Sequence, residues 1–291
     1  MASPVLHLLW SDERTSAQTE PREDLDYRHD AERSAEIQPL PQLRRCELFA
    51  SLDDDELGQL ATELSFIDVV EGETVFEQAE QAEYLYVVIS GRVKLRRRTA
   101  DGRLGLAAIA GPGDCFGELS FLDAGPRTAD AIATTSSRLA RVSHDVFADW
   151  SARSPGLVLQ SLNFIARRVK RAYDEREDLL FADIRTRVSK QILALSDRFG
   201  SVDAENRVVL QHGLTQQELA QLVGSSRETL SKVLAEFVRR GWILVEGRAI
   251  VIINRPRLER RARLSATPAL TAVHPQTGRL ADETPRGHQG S

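Results

Sequence analysis

Two stretches of this 291-residue sequence hold residue types whose spacing can do chemistry. The first is Phe116-Gly117-Glu118-Leu119-Ser120-Phe121-Leu122, followed by Pro126-Arg127-Thr128-Ala129. Gly117 lets backbone approach a ligand closely. The Glu118 carboxylate can accept hydrogen bonds from a sugar hydroxyl, and the Arg127 guanidinium offers a fork that matches a phosphate. Thr128 and nearby backbone N–H groups can add donors. Together, inside a strand-rich region, these residues suit an anionic sugar-phosphate.

The second stretch runs from Leu214 to Ile243. Thr215 and Glu218 form a T-x-x-E capping box that opens a helix, and Leu219, Leu222 and Val223 give it an apolar face. Gly224 breaks that helix with a turn that a residue carrying a Cβ would resist. Ser225 and Glu228 are expected to form a second capping box. The second helix turns Leu230, Val233, Leu234 and Phe237 inward and Arg227, Thr229, Lys232 and Glu236 outward. Two short helices joined by a tight glycine turn make a helix-turn-helix, whose second helix enters the major groove of DNA. Arg227 and Lys232 can donate to guanine O6 and N7. Glu228 can accept from cytosine N4, or it can simply cap backbone near Ser225. Arg239 and Arg240 suit phosphate contacts or plain surface. Gly241-Trp242 ends the helix, and Ile243 to Ile253, with Glu246-Gly247-Arg248 at its centre, reads as a hairpin wing.

Other elements must position these two stretches. Leu52, Leu57, Leu60 and Leu64 have helix-like spacing in a small helical entry that begins near Leu43. Then come short apolar runs at 67–70, 74–76, 84–89, 93–97, 104–109 and 131–142. Glu71-Gly72, Ser90-Gly91, Asp101-Gly102 and Gly111-Pro112-Gly113-Asp114 separate them. Many short strands punctuated by glycine predict a small antiparallel barrel or roll. After Pro155, which suits the first position of a helix, Val158, Leu162, Ile165, Val169, Ala172 and Leu179 alternate in steps of four and three. That is the seam of a coiled coil, interrupted by Arg176, and it predicts a long dimer helix.

Composition sets limits. With 42% apolar and 28% charged residues, the chain can bury real cores. No run is long and apolar enough to span a bilayer, and Met1 to Trp10 lacks the positive start of a secretory signal, so the expected location is the cytoplasm, with no membrane partner. The formal charge of −5 hides a division: residues 185–264 carry 15 Lys or Arg against 8 acids, and residues 1–40 carry 4 Arg against 9 acids. A basic C-terminal module suits a nucleic-acid partner there. The two cysteines, Cys46 and Cys115, are far apart in sequence and match no metal or cluster spacing, so two buried reduced thiols are expected. Without paired Cys/His or Ser/His elements, zinc spacing or a phosphate-binding Walker loop, an enzyme is not expected.

The cassette residues Phe116-Gly117-Glu118-Leu119 and Arg127-Thr128-Ala129 resemble the phosphate-binding cassette of cyclic-nucleotide-binding domains. Residues 214–220, Val223 to Leu230 and Gly241-Trp242-Ile243 resemble the helix-turn-helix of the cyclic-AMP receptor and fumarate-nitrate regulator (Crp/Fnr) family. The resemblance covers roughly residues 41–256, in the family's order. It implies an α+β chain: a jelly-roll-like cyclic-nucleotide-binding β-roll, a long dimerisation helix and a C-terminal winged helix-turn-helix. The expected divisions are a disordered extension at 1–40, an effector domain at 41–154, the dimer helix at 155–184, a DNA-binding domain at 185–256 and a disordered tail at 257–291.

The resemblance further implies a ligand-gated homodimeric transcription factor. Its effector is a cyclic nucleotide, cyclic AMP or cyclic GMP, held by Gly117, Glu118, Leu119, Ser120, Arg127, Thr128 and Tyr173. Glu118 takes the ribose 2′-hydroxyl and Arg127 the cyclic phosphate. Double-stranded DNA is contacted by Thr215, Gln216, Ser226, Arg227, Glu228, Thr229 and Lys232, of which Arg227, Glu228 and Lys232 read a TGTGA-like half-site of an inverted repeat. RNA polymerase is an expected partner. No metal, iron–sulfur cluster or haem is expected: no cysteine cluster precedes Cys46, and His7, His29 and His144 do not sit convincingly in the roll. One departure stands out. Where cyclic-AMP receptors place hydroxyl or amide side chains against adenine, this chain has Ala172 and Tyr173. A regulator without a ligand, or with another effector and a decayed pocket, is therefore a second expectation, and a nucleotide-binding subunit acting on a protein partner is a third.

Overall fold

The computed structural model describes residues 39–265 apart from Ala100. The expectations for residues 1–38 and 266–291 lie outside the described residues.

Apolar leucines nucleate the entry. Helix α1 (Leu40–Arg45), a 3-10 turn (Glu47–Phe49) and α2 (Asp54–Glu63) bury Leu43, Leu48, Leu57 and Leu60. Asp53 caps α2 in a reciprocal capping box with Glu56. Eight strands follow: β1 (Ser65–Val69), β2 (Thr74–Phe76), β3 (Tyr84–Ser90), β4 (Val93–Arg98), β5 (Leu104–Ala110), β6 (Cys115–Phe116), β7 (Asp130–Ala133) and β8 (Ser137–Ser143). They form two four-stranded antiparallel sheets, ordered β1-β8-β3-β6 and β2-β7-β4-β5. The run expected at 131–142 is thus two strands, because Thr134 to Ser136 leaves one sheet and enters the other.

Strand β3 shows why the layers stack as they do. Leu85, Val87 and Ile89 point into a core under the helices, and Tyr86 and Val88 point between the sheets. A period of two with both faces covered needs an unbroken apolar run, and Leu85 to Ile89 supplies it. Within the first sheet's helical cover, α4 (His144–Arg153) contributes Trp150, and α5 (Pro155–Phe181) contributes Leu157 and Phe164. Pro155 sits in the first turn of α5, as expected. The seam residues Val158, Leu162 and Val169 are 47%, 64% and 49% exposed, whereas Ile165 leans onto the helical core.

The C-terminal module comprises α6 (Ile184–Phe199), β9 (Gly200–Val202), β10 (Val208–Gln211), α7 (Gln216–Leu222), α8 (Arg227–Arg239), β11 (Ile243–Glu246), β12 (Ala249–Ile252) and α9 (Arg255–Ala262). Its sheet has the order β11-β12-β10-β9. Residues 257–265, expected in the tail, instead continue as α9 and a short 3-10 turn (Arg263–Ser265), because Leu258 is fully buried in the module's core and Asn254 caps the helix. Among the described residues, no helix is long and apolar enough to cross a membrane.

Candidate nucleotide cassette and nucleic-acid interface

The cassette begins where β6 ends. Gly117 has φ +75°, a left-handed conformation, and a Cβ there would meet Arg127 Nη1 at 2.7 Å. Helix α3 (Glu118–Leu122) starts immediately after, burying Glu118 and Ser120 and leaving Leu119 half exposed. Arg127 reaches back under it. Its Nη1 donates to Gly117 O at 2.9 Å, its Nη2 to Tyr84 O at 2.6 Å, and its plane lies 4.0 Å from the Phe76 ring centre. Its Nε is buried without a partner. Burial pulls the Arg127 guanidinium below its ordinary value, against the nearby Tyr86, Glu80 and Glu118.

Glu118 is only 3% exposed, and burial pushes its carboxyl above the usual range, opposed by Arg168 on α5. Arg168 Nη2 lies 3.0 Å from Glu118 Oε1 and also donates to Cys115 O at 3.0 Å. The structure therefore brings Gly117, Glu118, Ser120 and Arg127 together. Thr128 is exposed at their edge. Tyr173, on α5, is 66% exposed.

Arg168 was missed because the spacing was read for only one stripe. Leu157, Ser161, Phe164 and Arg168 form a second stripe in steps of four, three and four, and it faces the roll. Two other contacts carry no sequence signal. Cys46 and Cys115 lie in one buried core, and the neighbouring Cys46 thiol together with burial pushes the Cys115 thiol up. His144, not expected to sit convincingly in the roll, stacks on Phe121 with ring centres 3.9 Å apart and bonds Ala82 O at 3.0 Å. Among the described residues, no three His, Cys, Asp or Glu side chains gather as a metal site.

In the second site, Thr215 and Glu218 form the expected capping box on α7. The cap of α8 is Ser226, not Ser225: Ser226 Oγ accepts from Thr229 N at 3.2 Å, and Glu228 makes no return bond. Ser226 is the residue with extended backbone just before the first helical turn, which is what a cap requires. Leu230, Val233, Leu234 and Phe237 are buried as expected. Gln216, Ser226, Arg227, Glu228 and Lys232 line one open concavity, with Thr229 exposed beside it. Glu236, expected to face outward, is instead paired with Arg185 of α6 and with Arg240. Gly224 has φ +60° and packs on Leu179 at the end of α5.

The two sites are joined through the edge of β5. Gln221 Oε1 accepts from Leu106 N at 2.9 Å, and its Nε2 donates to Leu104 O at 2.9 Å. Lys94 Nζ meets Glu218 Oε1 at 2.7 Å. Burial would raise the Glu218 carboxyl, but bonds from Lys94 and Thr215 hold it below its ordinary range. Leu106 and Ile109 belong to the core of the C-terminal module, and Arg198 bonds Ile109 O and Asp114. A cleft of about 250 Å³ remains where β5, α5, α6 and α7 meet.

Residues 67–154 match the cyclic nucleotide-binding domain, and residues 186–261 match the Crp-like helix-turn-helix domain. The chain is 43% identical over 221 residues to the CRP-like cAMP-activated global transcriptional regulator of Mycobacterium tuberculosis, covering 76% of this chain and 98% of that protein. It is 33% identical over 177 residues to the cyclic AMP receptor protein of Thermus thermophilus, covering 59% and 76%. The crystal structure of a CRP/FNR-family transcriptional regulator from Thermus thermophilus aligns with a TM-score of 0.59 at 25% identity, covering 69% of this chain and all of that one. These relatives are regulators, not enzymes, and the buried cassette and the capped helix-turn-helix stand in the same order here: the chain is a DNA-binding transcription regulator of the Crp/Fnr family.

Proposed function

We propose that the chain acts as a homodimer whose affinity for DNA is set by a cyclic nucleotide, with cyclic AMP the first candidate and cyclic GMP the next. The observation that carries this reading is the buried pair Glu118 and Arg127, tied through Arg168 to the long helix α5. Glu118 accepts from the ribose 2′-hydroxyl, and Arg127 meets the cyclic phosphate when its fork leaves Gly117 O and Tyr84 O. Gly117, Leu119, Ser120 and Thr128 frame the ligand, and Tyr173 borders the purine. The name of the Mycobacterium tuberculosis relative, cAMP-activated, supports the effector class.

The exposed seam Val158, Leu162 and Val169 supports pairing of two α5 helices. In the dimer, Arg227, Glu228 and Lys232 read a TGTGA-like half-site, and Thr215, Gln216, Ser226 and Thr229 position the module on phosphates. An effector domain at 41–154, a dimer helix at 155–184 and a DNA-binding module that runs from 185 through α9 are the working divisions, with RNA polymerase a further partner and the cytoplasm the location.

Coupling runs through β5. The contacts of Gln221 and Lys94 hold α7 on the effector domain, and the ligand favours the arrangement in which they part. The shift is bounded by the ligand's differential affinity for the two arrangements, about 1 to 3 kcal/mol in typical cases. The test is fluorescence anisotropy on a TGTGA inverted-repeat duplex at fixed salt, with and without cyclic AMP. Tighter binding with cyclic AMP supports the reading. Equal affinity at saturating nucleotide removes the gating.

A second reading, a regulator independent of ligand, is favoured by Ala172, which cannot bond a base, and by the Arg127 fork, already satisfied within the protein. In that case Arg127→Ala leaves regulation intact.

A further inference from the structure

The C-terminal module owes more than half of its net positive charge to one segment outside the helix-turn-helix, α9 and the turn that follows it. Between Arg255 and Arg263 the chain carries five arginines against the single acid Glu259, while residues 185–264 as a whole carry 15 basic against 8 acidic residues. These arginines divide into two sets. Arg255 and Arg261 face α6 and are used in packing: Arg255 pairs with Asp197 at 2.7 Å and with Glu259 at 2.8 Å, and Arg261 pairs with Asp183, the cap of α6. Together with the buried Leu258 they fix α9 antiparallel along α6. Arg257, Arg260 and Arg263, three residues apart, are all exposed, and among the described residues none forms an ion pair or a side-chain hydrogen bond.

A row of three cations held on a clamped helix and the turn after it repels itself, and among the described residues nothing in the module's own packing requires it. Its position is telling. Arg261 anchors the end of α9 at the end of α6 that touches the reading elements: Arg185 pairs with Glu236 of α8 at 2.7 Å, and Arg187 donates to Val223 O at 2.9 Å in the turn. A polyanion seated on α8 is the complementary occupant of such a ridge.

We propose that Arg257, Arg260 and Arg263 form an additional phosphate-binding ridge that engages the DNA backbone beyond the bases read by α8. This rests on the reading of the module as a duplex binder, and it assigns to the ridge a sequence-independent share of affinity.

The test is the salt dependence of the full-length protein's affinity for a long mixed-sequence duplex, where base reading does not contribute. Each phosphate contact adds roughly 0.9 to the slope of log affinity against log salt. The variant R257Q/R260Q/R263Q is expected to lose nearly three from that slope per bound protomer, about five for the homodimer, and to bind at least about 100-fold more weakly near 0.1 M salt. The charge-preserving variant R257K/R260K/R263K is expected to keep the slope. Arg257→Gln alone should lose about one per bound protomer, about two for the homodimer, which guards against a triple variant that folds poorly. An unchanged slope in the Gln variants, with wild-type binding intact, overturns the ridge alone. Absence of any salt-dependent binding by the wild type overturns the duplex-binding reading along with it.

Discussion

In the cassette, the charged groups are buried and already bonded: Glu118 to Arg168, and Arg127 to two backbone carbonyls and the Phe76 ring. On α8 the charged groups Arg227, Glu228 and Lys232 stand exposed, and what is fixed there is the frame, through the Ser226 cap and the buried row Leu230, Val233, Leu234 and Phe237. On the proposed reading the cassette exchanges internal bonds for ligand bonds, so its response is a difference between two bonded arrangements. If α8 reads DNA as proposed, its exposed face exchanges only water, and its contacts register directly as affinity. The proposed roles follow that contrast: the cassette switches and α8 binds.

The sharpest break in that comparison is Arg127→Ala. Two charge-assisted bonds to a phosphate are worth about 3 kcal/mol together at the low end, so cyclic-nucleotide affinity should fall on the order of 100-fold or more by calorimetry. Binding of nucleotide at wild-type strength would mean that Arg127 is structural only.

The module that carries α8 has its own buried titratable group. His212 is 7% exposed, and burial, reinforced by Arg92 and Arg248, lowers its pKa to about 4, while its Nδ1 accepts from Leu214 N at 3.0 Å. A histidine depressed in the folded protein contributes stability at neutral pH that is lost as pH falls from its unfolded value near 6.5 towards 4. The loss should reach about 2 kcal/mol at pH 5 and about 3 kcal/mol when complete. Urea melts of the wild type and His212→Gln over this range check it: the variant should lose this component of the pH dependence.

Arg227→Ala should cost about 1 to 3 kcal/mol on the cognate duplex and relax specificity at one base pair. An equal loss on nonspecific DNA would make Arg227 a phosphate contact and blur the contrast between reading and positioning. The smallest effect belongs to the seam between the sites. Removing the partly buried Lys94 ammonium with Lys94→Met should weaken the hold on α7 and raise DNA affinity without nucleotide by several-fold, about 1 kcal/mol. A fall in affinity would show that the contact supports binding.

The two regions also differed in how far the sequence disclosed them. The helix-turn-helix was legible nearly residue by residue, since caps, glycine turns and a 3.6-residue period are local signals. Even so, adjacent serines misled the choice of cap, because only backbone geometry separates Ser226 from Ser225. In the cassette, Gly117, Glu118 and Arg127 were visible as types, but their partners were not. Tyr84 O lies 43 residues from Arg127 in sequence, and β6 is only two residues long, too short to show any period. The edge contact of Gln221 with Leu104 and Leu106 is equally non-local, as is the docking of α9, where Leu258 is the one large apolar residue among arginines.

The meeting of Cys46 and Cys115 beneath the cassette gives the protein an internal clock. With 0% and 5% of their surface exposed, neither thiol can meet an alkylating reagent unless the layer over it parts. The labelling rate therefore counts openings, and each 1.4 kcal/mol of protection against opening slows it tenfold. Because Cys115 immediately precedes Phe116 and Gly117, a ligand that tightens the cassette would be timed by the protein's own sulfur atoms, without any attached dye.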